Sequence, residues 1–249
     1  METTINKIDA YELSSFVKKL IPIDKFIFMK IGKDVTVSSV YFPERDAVKL
    51  VNTPTKDIFD ADITAPLKVS FYNGSKVIDA LSHFSGDVKG RIKYTEYDKE
   101  LMASDFILEN DDLQISLACT DPSLSFMEMS KEETDRAFGT DSNLFQFDLL
   151  TTHVDKMKSL FNLDKDEDIF TVYTSDKGIG VKGTSYDATL CHSYDSTSEL
   201  GTKVVIYKKY INLLDKENYR VIVCDNKVVF RSLDTNTHLT VAVAITDED

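Results

Sequence analysis

Leu67-Lys-Val-Ser-Phe-Tyr72 runs directly into Asn73-Gly-Ser-Lys-Val-Ile-Asp-Ala-Leu-Ser-His-Phe-Ser85. The first piece reads as a short strand. The second places Val77, Ile78, Leu81 and Phe84 on one side, and Asn73 stands where a helix N-cap belongs. A helix of about three to four turns is marginal in water, so packing on something larger must hold it.

Working outward, three more segments carry the same period. They are Ile8 to Leu20, with Leu13, Phe16, Val17 and Leu20; Asp148 to Phe161, with Leu150, His153, Val154 and Met157; and Tyr207 to Lys216, with Tyr207, Tyr210, Ile211 and Leu214. Each gives one apolar stripe and one polar face, and Asp148 is placed to cap its helix. The larger partner is sheet. Besides 67–72, strands are expected at 26–31, 35–42, 90–97, 105–109, 113–119, 169–174, 178–182, 188–193, 203–206, 219–224, 227–232 and 238–245. Glu109-Asn-Asp-Asp112, Ser175-Asp-Lys-Gly178 and Cys224-Asp-Asn-Lys227 read as hairpin turns. Many hairpins with few helices predict an antiparallel α+β fold.

The helix starts Ile8 and Asp148, and Asn73 and Tyr207, are separated by near-equal offsets, which suggests two copies of one unit. Between the copies lies a polar, acidic stretch that begins Asp121-Pro-Ser and contains Gly139. The expected division is 1–120, a linker at 121–143, and 144–249. Residues 43–66 carry no pattern.

Composition narrows the function. The 249 residues carry a net charge of −13 and are 42% hydrophobic, as ordinary globular chains are. No stretch approaches the ~18 consecutive apolar residues of a membrane span, and the start lacks the pattern of a secretory signal. Cys119, Cys191 and Cys224, an odd number in strand-like surroundings, read as reduced thiols of a cytoplasmic protein. The acidic balance argues against general nucleic-acid stickiness while leaving room for a local basic strip.

Local catalytic signatures fail one by one. Gly178-Ile-Gly-Val-Lys-Gly183 fits the dinucleotide pattern by letter, but Thr184-Ser-Tyr-Asp-Ala-Thr-Leu190 follows as strand where a phosphate-facing helix is required. Asp164-Lys-Asp-Glu-Asp168 opens like a calcium loop, yet Ile169 and Ser175 stand at the positions that need Gly and Glu. Cys191 and His192 are strand neighbours and point to opposite faces, so they form no nucleophile–base pair. His153 lies on an apolar stripe and reads as a packed or boundary residue. No cofactor, metal or catalytic residue is expected.

Charge placement is more telling. Lys18, Lys19, Lys76, Lys156, Lys158, Lys208, Lys209 and Lys216 lie in the four helical segments, against six acids there. The helices are therefore basic within an acidic protein. Lysine is also common on any solvated helix face, so the pattern has an ordinary reading as well.

A repeated α+β chain of this kind resembles the sliding DNA clamps, most nearly the trimeric clamps of T-even-type bacteriophages and more distantly proliferating cell nuclear antigen. Three stretches carry the likeness: Val69 to Leu81; Leu113-Gln-Ile-Ser-Leu-Ala-Cys-Thr-Asp-Pro-Ser123; and Asn218-Tyr-Arg-Val-Ile-Val223 with His238-Leu-Thr-Val-Ala-Val-Ala-Ile245 and the acidic end. The resemblance implies a non-enzymatic homotrimeric ring with antiparallel sheets outside and the four short helices on the inner face. That ring would slide on duplex DNA as the processivity factor of a phage polymerase, loaded by a clamp-loader ATPase.

The helix lysines then have a physical purpose, since ammonium groups attract phosphates without reading bases. DNA contacts are expected at Lys18, Lys19, Lys76, Lys156, Lys158, Lys208 and Lys209. The resemblance further implies a partner-peptide pocket between the domains, at Val40, Leu124, Phe126, Met127, Ala242 and Ala244, and a strand-edge junction between protomers. Physically, Leu124, Phe126 and Met127 are apolar residues in an acidic linker and could equally staple that linker to the sheet. The rival readings are an acidic β-rich viral binding or scaffold protein without clamp activity and, ranked last, an enzyme with dispersed carboxylates.

Overall fold

The computed structural model describes residues 1–42, 44–120 and 129–244, and the chain divides into two compact units. The first comprises Met1–Pro43 and Lys49–Ser130; the second comprises Glu44–Val48 and Lys131–Asp249.

The first unit contains β1 (Glu2–Ile8), α1 (Ala10–Lys18), β2 (Ile27–Ile31), β3 (Val35–Tyr41), most of β4 (Ala47–Pro54), α2 (Thr55–Ile58) and β5 (Phe59–Ala61). It continues with β6 (Leu67–Phe71), α3 (Ser75–Ser82), β7 (Val88–Tyr97), β8 (Glu100–Glu109) and β9 (Gln114–Ala118). Its strands follow the order β4–β3–β2–β6–β8–β7–β1–β5, with β9 paired to β8. Except for a two-residue parallel contact of β6 with β8, the registered pairs are antiparallel. Helices α1 and α3 pack on each other. They bury Leu13, Phe16 and Val17 from one and Val77, Ala80 and Leu81 from the other. Phe106 meets Phe59 and Phe71 edge-on in the same core. Full burial of each such side chain stabilises by about 1.5–3 kcal/mol.

The second unit contains α4 (Lys131–Phe138), β10 (Asn143–Leu149), α5 (Thr151–Phe161), β11 (Ile169–Ser175), β12 (Gly178–Lys182), β13 (Asp187–Cys191) and β14 (Asp195–Ser196). Then come β15 (Lys203–Tyr207), a 3₁₀ helix (Lys208–Leu213), β16 (Tyr219–Cys224), β17 (Lys227–Ser232) and β18 (Asn236–Ala242). One sheet runs β14–β10–β16–β17–β18 and the other β13–β12–β11–β15. Phe147, Met157, Phe170, Val172, Ile206, Ile211, Val221 and Phe230 line one tight apolar core. Apart from α2, α4, β5 and β14, both units follow one order: strand, helix, three strands, strand, helix, three strands.

Each expected strand is present, but β1, β4, β5, β10 and β14 were not anticipated. β1 is polar and buries only Ile5 and Ile8, its pairing shifting register between them. The stretch without pattern, 43–66, holds β4, α2 and β5.

Three local expectations are corrected. The fourth helix is not an α-helix from Tyr207 to Lys216 but the 3₁₀ segment Lys208–Leu213, which buries Tyr210 and Leu213 three positions apart. Leu214 is already extended, and the Tyr219 hydroxyl accepts the Asp215 N–H at 2.9 Å, so the turn ends there. Asp148 does not cap α5; it forms a two-point ion pair with Arg220, its partner across the ladder. The α5 cap comes instead from Asn218, whose Oδ1 accepts the Thr151 N–H at 3.1 Å, and from His153 Nδ1, which accepts the Leu150 N–H at 3.2 Å. Finally, the segment read as linker contains α4. Its last carbonyls are held by the second sheet unit: Lys227 Nζ donates to those of Arg136 and Ala137, Arg231 to Phe138, and Thr240 Oγ1 to Ala137. Cations at a helix C-terminus suit its dipole.

Candidate nucleic-acid interface

Asp9 begins α1 by accepting the Glu12 N–H at 3.0 Å, and Lys18 occupies the last turn, where the dipole favours a cation. Lys18 is exposed, and Lys19 is the half-buried C-cap. In α3 the cap shifts by one residue from the expected position. Gly74 is the N-cap, and Asn73 Oδ1 accepts the Ser75 N–H at 3.0 Å. Lys76 is exposed in the first turn. Lys18 and Lys76 form no ion pair among the described residues. Helices α1 and α3 pack on each other, and each buries one apolar stripe and leaves a polar face outside it.

In the second unit Lys156 is exposed on α5, away from the buried Val154 and Met157, and Lys158 is half-buried one turn on from Val154. His153, in the first turn of α5, is held below its ordinary range by burial and by Lys156. It is thus a neutral acceptor at physiological pH, which fits its hydrogen bond from Leu150.

Lys208 and Lys209 differ in kind. Lys208 Nζ donates to the Asp164 carbonyl at 2.6 Å and lies 5.5 Å from the Phe161 ring centroid. Lys209 pairs with Asp46 at 3.0 Å and approaches Glu44 at 4.0 Å, with its ammonium over the rings of Tyr207 and Tyr210. Both ammonium groups are engaged with the chain itself. Lys216 falls beyond the 3₁₀ segment.

For the implied peptide pocket, Val40 is fully buried in β3, Ala242 is half-buried at the end of β18, and Ala244 is buried. Ala244 donates its N–H to the Val205 carbonyl at 2.8 Å. Leu124, Phe126 and Met127 lie outside the described residues.

The glycine-rich stretch has a packing explanation. Gly178 has a φ of +121°, and a Cβ there would stand 2.0 Å from the Cys191 carbonyl oxygen. At Gly180 a Cβ would lie 2.1 Å from the Tyr173 ring, whose hydroxyl donates to Asp187. In the acidic loop Asp164 is buried, whereas residues 165–168 are exposed. Asp164 accepts the Ser185 N–H at 3.0 Å, and these Ser185 hydrogen bonds hold its carboxyl below the usual range. All three cysteines are free, and burial pushes the Cys119 thiol up to about 12. No described helix is long and apolar enough to cross a membrane.

No protein-family model and no curated relative matches the sequence. Solved structures do match, over nearly its whole length. PCNA from Entamoeba histolytica aligns with a TM-score of 0.67 at 12% identity, covering 98% of each chain. PCNA from A. fulgidus, in a structure with the C-terminal region of FEN-1 bound, gives 0.65 at 13%, covering 99% of this chain and all of that one. The H. pylori beta clamp gives 0.66 at 12%, covering 99% of this chain and 64% of its own. The chain has the sliding-clamp fold.

Proposed function

We propose that the chain is a DNA sliding clamp: a phage-encoded, non-enzymatic processivity factor that encircles duplex DNA as a homotrimer and tethers the replicative polymerase. A clamp-loader ATPase opens and closes the ring. The observation that carries this reading is the whole-length likeness in fold joined to exposed helix lysines in a chain of net charge −13. Lysines on flexible stems attract phosphates without reading bases, and acidic surfaces elsewhere repel DNA. The DNA-facing set is Lys18, Lys19, Lys76, Lys156 and Lys158, with Lys208 and Lys209 as weaker members because their ammonium groups already have partners.

Ring closure needs free strand edges. Among the described residues β9 pairs only with β8 and β13 only with β12, so each offers one open ladder to a neighbouring protomer. The bound FEN-1 segment of the A. fulgidus relative supports a partner-peptide pocket here at Val40, Leu124, Phe126, Met127, Ala242 and Ala244.

The test has two parts. Native mass over a concentration series should give three 28.2 kDa chains. Replacing Lys18, Lys19, Lys76, Lys156 and Lys158 together by Gln should abolish polymerase processivity on circular DNA while leaving that mass intact. Unchanged processivity sinks the DNA-facing assignment.

A further inference from the structure

Asn73-Gly74, at the joint between β6 and α3, carries a chemistry that the clamp reading does not use. A backbone N–H that follows an asparagine can lose its proton, and the nitrogen can then attack the side-chain amide. Glycine makes that attack easiest, because no Cβ hinders the swing of its backbone. No other asparagine of the chain is followed by Gly; the successors are Lys, Thr, Asp, Leu or Tyr. Asn73 is therefore the most reactive asparagine once the backbone is free.

The fold holds both reactants. The nucleophile, the Gly74 nitrogen, donates its hydrogen to the Lys25 carbonyl at 2.7 Å. The electrophile is turned towards the helix, since Asn73 Oδ1 accepts the Ser75 N–H at 3.0 Å. The Asn73 carbonyl accepts the Lys76 N–H at 3.1 Å and the Gly74 carbonyl accepts the Val77 N–H at 3.0 Å, so both residues are tied into the first turn. Gly74 is buried and Asn73 half-buried. A Cβ at Gly74 would lie 2.1 Å from Cδ1 and 2.7 Å from Cγ1 of the fully buried Ile27. Packing thus demands the glycine that makes the pair reactive, and hydrogen bonds keep the pair unreacted.

We propose that Asn73 is a site of spontaneous deamidation, gated by opening of the start of α3. When the Gly74–Lys25 bond breaks, the Gly74 nitrogen bonds to Asn73 Cγ. Its proton passes through solvent to the side-chain nitrogen, which leaves as ammonia. Water then opens the cyclic imide at either carbonyl, leaving Asp or isoaspartate at position 73 and one more negative charge. Aspartate still accepts the Ser75 N–H. Isoaspartate puts an extra methylene into the main chain, so the bonds to Lys25 and Ser75 no longer fit together and the joint stays loosened. The site stands whether or not the chain encircles DNA.

The test follows the full-length protein at mildly alkaline pH: native, in a series of sub-denaturing urea concentrations, and unfolded. Peptide mapping by mass spectrometry reads Asp and isoaspartate at position 73, and amide exchange reads the opening of Gly74. In the unfolded chain Asn73 should convert before any other asparagine. In the native protein it should convert at least about tenfold more slowly, with a rate that climbs with urea in step with Gly74 exchange. Purified isoaspartate chains should exchange the Gly74 and Val77 amides faster than unmodified chains, and Asn73→Asp chains should not. A native rate equal to the unfolded one overturns the gate, as does a native rate that does not follow Gly74 exchange. Another asparagine converting first in the unfolded chain overturns the site. Unchanged exchange in isoaspartate chains overturns the loosened joint.

Discussion

The two units use one order of elements and spend their lysines differently. In the first, both long-range helices are α-helical, and Lys18 and Lys76 stand exposed without ion partners among the described residues. In the second, only α5 keeps that character. Its counterpart to α3 has shrunk to a 3₁₀ segment whose lysines are engaged by Asp164, Asp46 and three aromatic rings. A repeated framework fixes where helices fall; it does not fix whether their charges are offered to a ligand or used to hold the unit together.

The sharpest way to break that contrast is a pair of triple and double variants. Lys18→Gln, Lys19→Gln and Lys76→Gln together should flatten the salt dependence of duplex binding by up to about three, because each phosphate contact contributes roughly 0.9. Lys208→Gln with Lys209→Gln should change it by less than about one. Their cost should appear in unfolding instead. Losing the Lys208 hydrogen bond and ring contact together with the half-exposed Lys209–Asp46 pair should destabilise by about 1–3 kcal/mol, read as a lower denaturant midpoint. Equal DNA effects from the two sets would erase the distinction between the units.

A second comparison concerns helix starts, and it explains what the sequence could reveal. For α1 the cap is local: Asp9 accepts the N–H three residues on, a pattern visible in the letters. For α5 the plausible local acid, Asp148, is claimed by Arg220 across the ladder, and the cap oxygen arrives from Asn218. Periodicity made α1, α3, α5 and most strands legible, because burial repeats along one element, but not β1, β4, β5, β10 or β14. It could not find α4, whose only buried residue is Phe138 and whose carbonyls are satisfied by Lys227, Arg231 and Thr240 far along the chain. The candidate site divides in the same way. Helix lysines were readable from the sequence, whereas the tethering of Lys208 and Lys209 depends on contacts between distant segments. Asp9→Ala and Asn218→Ala should each cost about 1 kcal/mol in unfolding free energy. A cost at Asp9 alone would mean that the remote cap contributes nothing.

The smallest effect expected is a pH dependence confined to the second unit. His238 lies beneath α4, its ring 5.9 Å from Phe138 and its Nε2 2.9 Å from Asn236 Oδ1. Burial, and then the neighbouring Arg231 guanidinium, depress its pKa below the ordinary 6.5. The unfolded chain therefore takes up a proton at a higher pH than the folded one. Stability is fully present above about 6.5 and declines as pH falls from there through the folded value. His238→Gln should remove that component, leaving the carboxylates to set acid stability. Because Arg231 also donates to the Phe138 carbonyl at 2.9 Å, protonation sets a second cation beside the one that holds the end of α4. Amide exchange in α4 should accordingly rise, on mild acidification, before exchange in α1 or α3. Uniform acceleration across all three helices would place the titrating group elsewhere, and the two units would then respond to acid alike.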